Sequence, residues 1–197
     1  MKNLLILDLD ETLVYATKER IRPDNESVAG SYFVFFRPHL ERFLKKLDEF
    51  YQIAVWTSSN SNYAEAVVGA LPFVSEPVFV WSRKRCTQVY DSEAHKFRFV
   101  KDLKKVRKRG YDLNRVVVVD DSPKKLTRSY GNHVHIEPYS GEREDDELLH
   151  LEEYLISIAD SKTVRSMEKR FWRRKKSNIA QSQPELRKGR EGRDDGY

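Results

Sequence analysis

The sequence is poor in cysteine and in long apolar runs, and each shortage excludes a class of protein. Its 197 residues include one cysteine, Cys86, so an internal disulfide is excluded and a reducing compartment is expected. No stretch approaches the roughly 18–20 consecutive apolar residues of a membrane-spanning helix. The first apolar run is short and is followed at once by acidic residues, unlike a secretory signal. We therefore expect a cytoplasmic protein, or a nuclear one in a eukaryote, with no membrane contact.

The positive charge is concentrated towards the carboxyl terminus. The net charge is +5, but residues 162–197 hold 12 Lys and Arg against 5 Asp and Glu. Residues 1–161 hold 24 against 26 and are close to neutral. The basic character is therefore not a nucleic-acid footprint of the whole domain.

Apolar strands alternating with amphipathic helices predict an α/β domain. Continuous apolar runs at 3–7 (NLLIL), 51–56 (YQIAVW) and 115–120 (RVVVVD) are typical of strands buried on both faces of a parallel sheet. Helical patterns such as 39–50 and 144–160 separate or follow them. Strands and helices in this order predict parallel units with right-handed crossovers.

The segment boundaries predict one main domain with an extension. We expect the α/β domain over 1–160, a basic helix over 161–176 and a disordered polar tail over 177–197. Between residues 59 and 101 we expect one helix and a small β insert over 71–99, which is too little chain for a large lid.

Three of the predicted strands end in polar clusters. The first is followed by Asp8 and Asp10, the second by the hydroxyl residues 57–59, and the third ends in Asp120 and Asp121. Because the carboxyl ends of parallel strands share one edge of a sheet, these side chains should meet. Four carboxylates so close repel one another unless a cation lies among them, and magnesium prefers oxygen ligands.

The spacing of Asp8 and Asp10 favours acid–base and nucleophilic chemistry. A carboxylate at the strand end can attack phosphorus, while one two residues later can protonate the leaving oxygen and then accept a proton from water. Thr12 would orient Asp10 through a hydrogen bond. Each cluster alone is also typical of a helix cap or a turn, so the shared position at strand ends carries the functional interpretation.

These motifs resemble the haloacid-dehalogenase (HAD) superfamily and, more narrowly, the NLI-interacting-factor family. That family includes the small phosphatases of the RNA polymerase II C-terminal domain, which share the FCP homology domain. The resemblance covers residues from about 3 to about 158 and implies a Rossmann-like core. Its motifs are DLDETLV (8–14), RPHLERFL (37–44), VWTSS (55–59), FVKDL (99–103) and VVVVDDSP (116–123).

The resemblance implies a magnesium-dependent phosphomonoester hydrolase, and most directly a protein Ser/Thr phosphatase. Asp8 would be the nucleophile that forms an aspartyl-phosphate, and Asp10 the general acid and base. Mg²⁺ would be bound by the Asp8 carboxylate, the backbone carbonyl of Asp10 and Asp121.

Further residues would bind the phosphoryl group in the same resemblance. Thr57, Ser58 and Lys101 would contact its oxygens, as a loose transition state requires. Asp120 would support the site by orienting Lys101. Arg83 lies where it could meet substrate, although a solvated charge is an equal interpretation.

The length of the insert and three residues near the predicted site bear on the substrate. A small insert in place of a lid suits a phosphoprotein, and we expect a monomer. Where the polymerase-tail phosphatases have an apolar pocket for a substrate proline, this sequence has the polar Lys18 and Asn60, with an aromatic kept at Tyr63. The proline-rich polymerase tail is therefore a doubtful substrate.

Two alternatives remain open from the sequence. One is a nucleic-acid end phosphatase whose basic tail, with FWRRKKS at 171–177, makes a weak nucleic-acid contact. The other is a non-catalytic domain that binds phosphorylated proteins.

Overall fold

The computed structural model describes residues 2–21 and 26–173. The strands are β1 (Asn3–Leu7), β2 (Val14–Thr17), β3 (Glu26–Ala29), β4 (Tyr32–Phe36), β5 (Tyr51–Trp56), β6 (Val80–Trp81), β7 (Thr87–Asp91), β8 (Lys96–Val100), β9 (Val116–Asp120) and β10 (His133–His135). The α-helices are α1 (Leu40–Asp48), α2 (Ser61–Ala70), α3 (Lys104–Lys108) and α4 (Glu147–Ile158).

A five-stranded parallel sheet in the order β10-β9-β1-β5-β6 forms the centre of the molecule. Its middle strand, β1, pairs with β5 on one side and β9 on the other, so that Leu5 lies beside Ile53 and Val117. Every residue of β1 and β9 is buried, as expected for strands covered on both faces. The expected α/β fold with a central parallel sheet flanked by helices is confirmed.

The two long flanking helices bury the faces that their apolar spacing predicts. In α1 the buried residues are Leu40, Phe43, Leu44 and Leu47. In α4 they include Leu148, Leu151, Leu155 and Ile158. The two helices pack on each other against one face of the sheet, and the hydroxyl of Tyr51 donates to the carbonyl oxygen of Leu155 at 2.6 Å. Among the described helices, none is long and apolar enough to cross a membrane.

Two small antiparallel sheets accompany the central sheet. The hairpin of β7 and β8 is the small β insert expected within 71–99, although β8 runs one residue further, to Val100. A three-stranded sheet in the order β2-β4-β3 follows β1 directly. The sequence predicted a strand at 33–36 but not β2 and β3, because four-residue strands with mixed burial carry little periodic signal.

The segment after α4 corrects the prediction of a basic helix over 161–176. In its described part, 161–173, the chain forms a 3-10 turn at Val164–Ser166 and then an irregular path. The ammonium group of Lys169 donates to the carbonyl oxygens of Val164 and Met167, which gives these groups partners without an α-helix. Residues 174–176, and the tail expected at 177–197, lie outside the described part of the chain.

The packed structure also extends past residue 160, where we placed the domain boundary. Val164 and Trp172 are buried and belong to the main hydrophobic cluster. The indole N–H of Trp172 donates to the carbonyl oxygen of His135 at 2.6 Å, which ties the segment to the edge strand β10.

Truncating a core side chain of α1 should destabilise the whole domain. Leu44→Ala removes a fully buried side chain between α1 and the sheet, so the free energy of unfolding should fall by about 2–5 kcal/mol. Lys45→Ala, on the exposed face of the same helix, should change it by no more than about 0.5 kcal/mol. Urea unfolding followed by circular dichroism measures both, and equal effects would contradict this packing.

Candidate active site

The three polar strand ends meet at one edge of the central sheet. Since β1 lies between β5 and β9 in parallel register, Asp8, Thr57 and Asp120 come from neighbouring strands at the same end of the sheet. All three side chains are buried. The convergence expected from the sequence is therefore present, at the edge where open α/β sheets bind their ligands.

Asp8 is a fully buried carboxylate held between two ammonium groups. Its Oδ1 atom lies 3.0 Å from Nζ of Lys101 and accepts the backbone N–H of Leu9 at 2.9 Å. Its Oδ2 atom lies 2.6 Å from Nζ of Lys125. Burial alone would raise the pKa of Asp8, but the two ammonium groups outweigh it and lower the pKa to about 2. Asp8 is thus an anion at neutral pH.

Lys101 links Asp8 to Asp120. Its ammonium group is fully buried and lies 2.5 Å from Oδ2 of Asp120. Burial and the neighbouring negative charge of Asp8 raise the pKa of Asp120. This geometry is the one expected if Asp120 orients Lys101.

Asp10 faces a different environment, made of hydroxyl groups. Its Oδ1 accepts the phenolic hydroxyl of Tyr63 at 2.5 Å, and its Oδ2 accepts the hydroxyl of Ser59 at 2.6 Å. Thr57 is a weaker third donor at 3.4 Å. Burial, followed by the charge of Asp10, raises the pKa of Tyr63, which keeps its hydroxyl protonated and able to donate.

Thr12 does not orient Asp10 as we expected. Its hydroxyl accepts the backbone N–H of Asp121 at 3.3 Å, while the carbonyl of Thr12 accepts a guanidinium N–H of Arg37 at 3.1 Å. Arg37 is buried and pairs with Asp145 at 2.8 Å. Thr12 therefore links the loop after β1 to the loop after β9, and the hydroxyls that hold Asp10 come from the loop after β5 and from α2.

Ser58 lies in the loop after β5 but does not share the position of Ser59. Its carbonyl oxygen accepts the Nε–H of Arg83 at 2.6 Å, and the guanidinium of Arg83 lies 5.0 Å from the ring centroid of Phe99. Arg83 thus braces the loop against the hairpin. Phosphate binding by Ser58 stays a prediction.

Three carboxylates form a candidate cation site. Oxygens of Asp8, Asp120 and Asp121 all lie within 4.8 Å of one another. These oxygen donors suit Mg²⁺, and three carboxylates against the ammonium groups of Lys101 and Lys125 leave an excess of negative charge. The residues present therefore fit a divalent cation. The cluster contains Asp8 and Asp121 of the expected ligand set, with Asp120 in addition.

The sequence interpretation missed Lys125. Its ammonium group lies 2.6 Å from an oxygen of Asp8, 3.2 Å from one of Asp121 and 3.4 Å from one of Asp120. Burial alone would lower the pKa of Lys125, but the three carboxylates raise it. The available signal was its place four residues after Asp121, in the turn Pro123–Leu126.

Comparison with known proteins agrees with this architecture. The family model described as NLI interacting factor-like phosphatase matches residues 3–165. This match covers most of the chain, and it includes the parallel α/β core and the carboxylates at its strand ends. The chain belongs to the NLI interacting factor-like phosphatase family.

Individual relatives are moderately similar. A probable C-terminal domain small phosphatase of Dictyostelium discoideum is 30% identical over 168 residues, covering 82% of this chain and 52% of the relative. The human carboxy-terminal domain RNA polymerase II polypeptide A small phosphatase 1 is 28% identical over 155 residues, covering 75% and 56%. The chain thus spans about half the length of these relatives.

A solved structure shares the fold. The structure of Fcp1, an essential RNA polymerase II CTD phosphatase, superposes with a TM-score of 0.50 at 24% identity, covering 83% of this chain and 51% of that chain. This likeness supports the α/β fold and nothing finer.

Removing the buried ammonium of Lys101 should cost stability. Lys101→Met would remove one of the two ammonium groups that the buried carboxylates of Asp8 and Asp120 share, so the free energy of unfolding should fall by about 3–5 kcal/mol. The control is Lys104→Met, the same change at an exposed lysine three residues later. Urea unfolding in EDTA at pH 7 tests the pair; similar small changes in both variants would show that the buried pair adds no stability.

Proposed function

We propose that this chain is a magnesium-dependent phosphomonoester hydrolase that works through an aspartyl-phosphate on Asp8. The observation that supports this most directly is the environment of Asp8, a buried carboxylate kept ionised by two ammonium groups at the end of β1. An ionised carboxylate at such a position can act as a nucleophile toward phosphorus. Membership in a phosphatase family supports the same chemistry.

The first half-reaction needs an acid at the leaving oxygen. An oxygen of Asp8 attacks phosphorus while the bond from phosphorus to the ester oxygen breaks, and protonated Asp10 gives its proton to that departing oxygen. The products are the free alcohol and an acyl phosphate on Asp8. The hydroxyls of Ser59 and Tyr63 hold the Asp10 carboxyl in one orientation for this transfer.

The second half-reaction returns the enzyme to its starting state. Asp10, now a carboxylate, accepts a proton from water, whose oxygen attacks phosphorus and releases inorganic phosphate from Asp8. Lys101 and Thr57, with Ser58, would bind the phosphoryl oxygens during both steps. Lys101 is already within 3.0 Å of the attacking carboxylate.

Asp8, Asp121 and the backbone carbonyl of Asp10 would hold Mg²⁺. When bound, the ion supplies positive charge that offsets the repulsion between the Asp8 carboxylate and a phosphate dianion. Asp120 then has a separate task, since its Oδ2 already pairs with Lys101.

The proposed substrate class is a protein phosphorylated on serine or threonine. The names of the relatives, which are C-terminal domain phosphatases, support a phosphoprotein. The apolar proline pocket receives no support, because Lys18 is exposed and Asn60 caps α2, accepting the backbone N–H of Tyr63 at 3.0 Å. The nucleic-acid alternative depends on the basic tail with FWRRKKS at 171–177, and its residues from 174 onward lie outside the described part of the chain.

The decisive experiment compares the wild type with Asp8→Asn. With p-nitrophenyl phosphate as substrate, the wild type should release phosphate in MgCl₂ and stop in EDTA, and Asp8→Asn should be inactive under both conditions because an amide is a poor nucleophile. Circular dichroism should show that both proteins are folded. Substantial turnover by Asp8→Asn would rule out the nucleophile assignment.

The absence of phosphate release by the wild type would also distinguish between the alternatives. No release from p-nitrophenyl phosphate, followed by none from a panel of phosphoserine and phosphothreonine peptides, would favour the non-catalytic binding alternative. Release from peptides alone would instead establish a strict macromolecular substrate.

Removing one hydroxyl from the Asp10 environment should slow turnover. Tyr63→Phe deletes a donor at 2.5 Å from a charged acceptor, an interaction of about 1.5 kcal/mol or more, so kcat should fall by about tenfold with little change in KM. Tyr32→Phe is the matched control, because its ring packs edge-on against Tyr63 with centroids 6.0 Å apart. Steady-state kinetics that show equal losses in both variants would contradict a specific role for the Tyr63 hydroxyl.

A further inference from the structure

Lys125 lies among the carboxylates of the candidate cation site. Its Nζ atom is within 3.4 Å of oxygens from Asp8, Asp120 and Asp121, the same three residues whose oxygens could hold a metal. A lysine ammonium and a divalent cation are both attracted by these oxygens and repel each other. They therefore compete for one place.

The two lysines of the site differ in their freedom to leave it. The side chain of Lys101 is 0% exposed, and its backbone N–H donates to the carbonyl oxygen of Lys125 at 2.7 Å. The side chain of Lys125 is 20% exposed and belongs to the short turn Pro123–Leu126. A flexible four-carbon stem with a path to solvent can withdraw without disturbing β9. Lys101 is fixed, and Lys125 is the movable cation.

We propose that Lys125 is a placeholder for the divalent cation, holding the carboxylates of Asp8, Asp120 and Asp121 together until the ion binds and displaces its ammonium group. This rests on the proposed function only in placing Mg²⁺ at the carboxylates of Asp8 and Asp121, which Lys125 contacts directly. Mg²⁺ can bind only after the Lys125 ammonium group has left. The free energy by which that ammonium group stabilises the three carboxylates is therefore lost from the binding free energy of Mg²⁺.

The placeholder explains how three carboxylates share one site while the ion is absent. Without Lys125, the ammonium group of Lys101 would still face Asp8 and Asp120, but no basic side chain in the described part of the chain would pair with Asp121. The carboxylates would then repel one another and spread apart. With Lys125 in place, the ligand oxygens are already gathered for a cation of higher charge.

The test is the affinity for Mg²⁺, measured by isothermal titration calorimetry with MgCl₂ on the full chain. In Lys125→Met the dissociation constant should fall by about tenfold or more, because the competing charge is gone. Lys125→Arg, which keeps the charge, should bind Mg²⁺ as weakly as the wild type. Lys124→Met, the same change at the exposed neighbouring lysine, should leave the affinity unchanged.

A second measurement uses the wild type alone and so does not depend on how the variants fold. Amine-reactive labelling read by mass spectrometry should modify Lys125 several-fold faster in MgCl₂ than in EDTA, while Lys101 stays protected in both. Equal labelling of Lys125 in the two conditions would overturn the proposal. So would an unchanged or weaker affinity in Lys125→Met, or an equally tight affinity in Lys125→Arg.

These outcomes separate this inference from the proposed function. Tighter Mg²⁺ binding in Lys125→Met together with a wild type that hydrolyses no phosphomonoester would support the placeholder and reject the hydrolase. Magnesium-dependent hydrolysis that is lost in Asp8→Asn, with Mg²⁺ affinity unaltered in Lys125→Met, would support the hydrolase and reject the placeholder.

Discussion

The ionised state of Asp8 is the constraint on which the rest of the site depends. A fully buried carboxylate is unfavourable unless cations pair with it, and here two ammonium groups do so at 3.0 and 2.6 Å. Both partners come from outside β1, so their positions depend on the sheet: Lys101 follows β8, and Lys125 follows β9. The parallel pairing of β1 with β9 is therefore as much a requirement of the electrostatics as of the hydrophobic core.

Asp8 and Asp10 are two residues apart, but their carboxyl groups lie in opposite electrostatic environments. Asp8 points between ammonium groups, which favour the anion, whereas Asp10 points to the hydroxyls of Ser59 and Tyr63. A hydroxyl can accept or donate, so it can serve a carboxyl in either protonation state. Directly after Asp10 the chain turns at 11–13, where Glu11 adopts a left-handed conformation with φ of 61°. A nucleophile beside an acid–base group needs this kind of separation.

Structural elements with a repeating sequence pattern could be predicted from the sequence, whereas features that depend on a single side-chain contact could not. Buried parallel strands such as β1 and β9 appear as continuous apolar runs, so the sheet and the convergence of Asp8 with Asp120 were predictable. Lys125 was not, because Lys124 and Lys125 are equivalent in sequence and only the turn Pro123–Leu126 shows which of them faces the carboxylates. The path of 161–173 was also missed, since bonds from one lysine to nearby carbonyl oxygens leave no periodic signal.

The charge balance of the site suits a dianionic ligand only after a cation has been added. The carboxylates of Asp8, Asp120 and Asp121 outnumber the ammonium groups of Lys101 and Lys125 by one, so the site alone repels a phosphate dianion. A divalent cation that takes the place of the Lys125 ammonium group brings that balance to zero and so removes the repulsion. If the ion displaces Lys125, whose side chain is 20% exposed, an ammonium group beside the site becomes free to pair with an anionic ligand. Binding of the cation and recruitment of the anionic substrate would then be one electrostatic event, with Lys101 and Asp8 fixed beneath it.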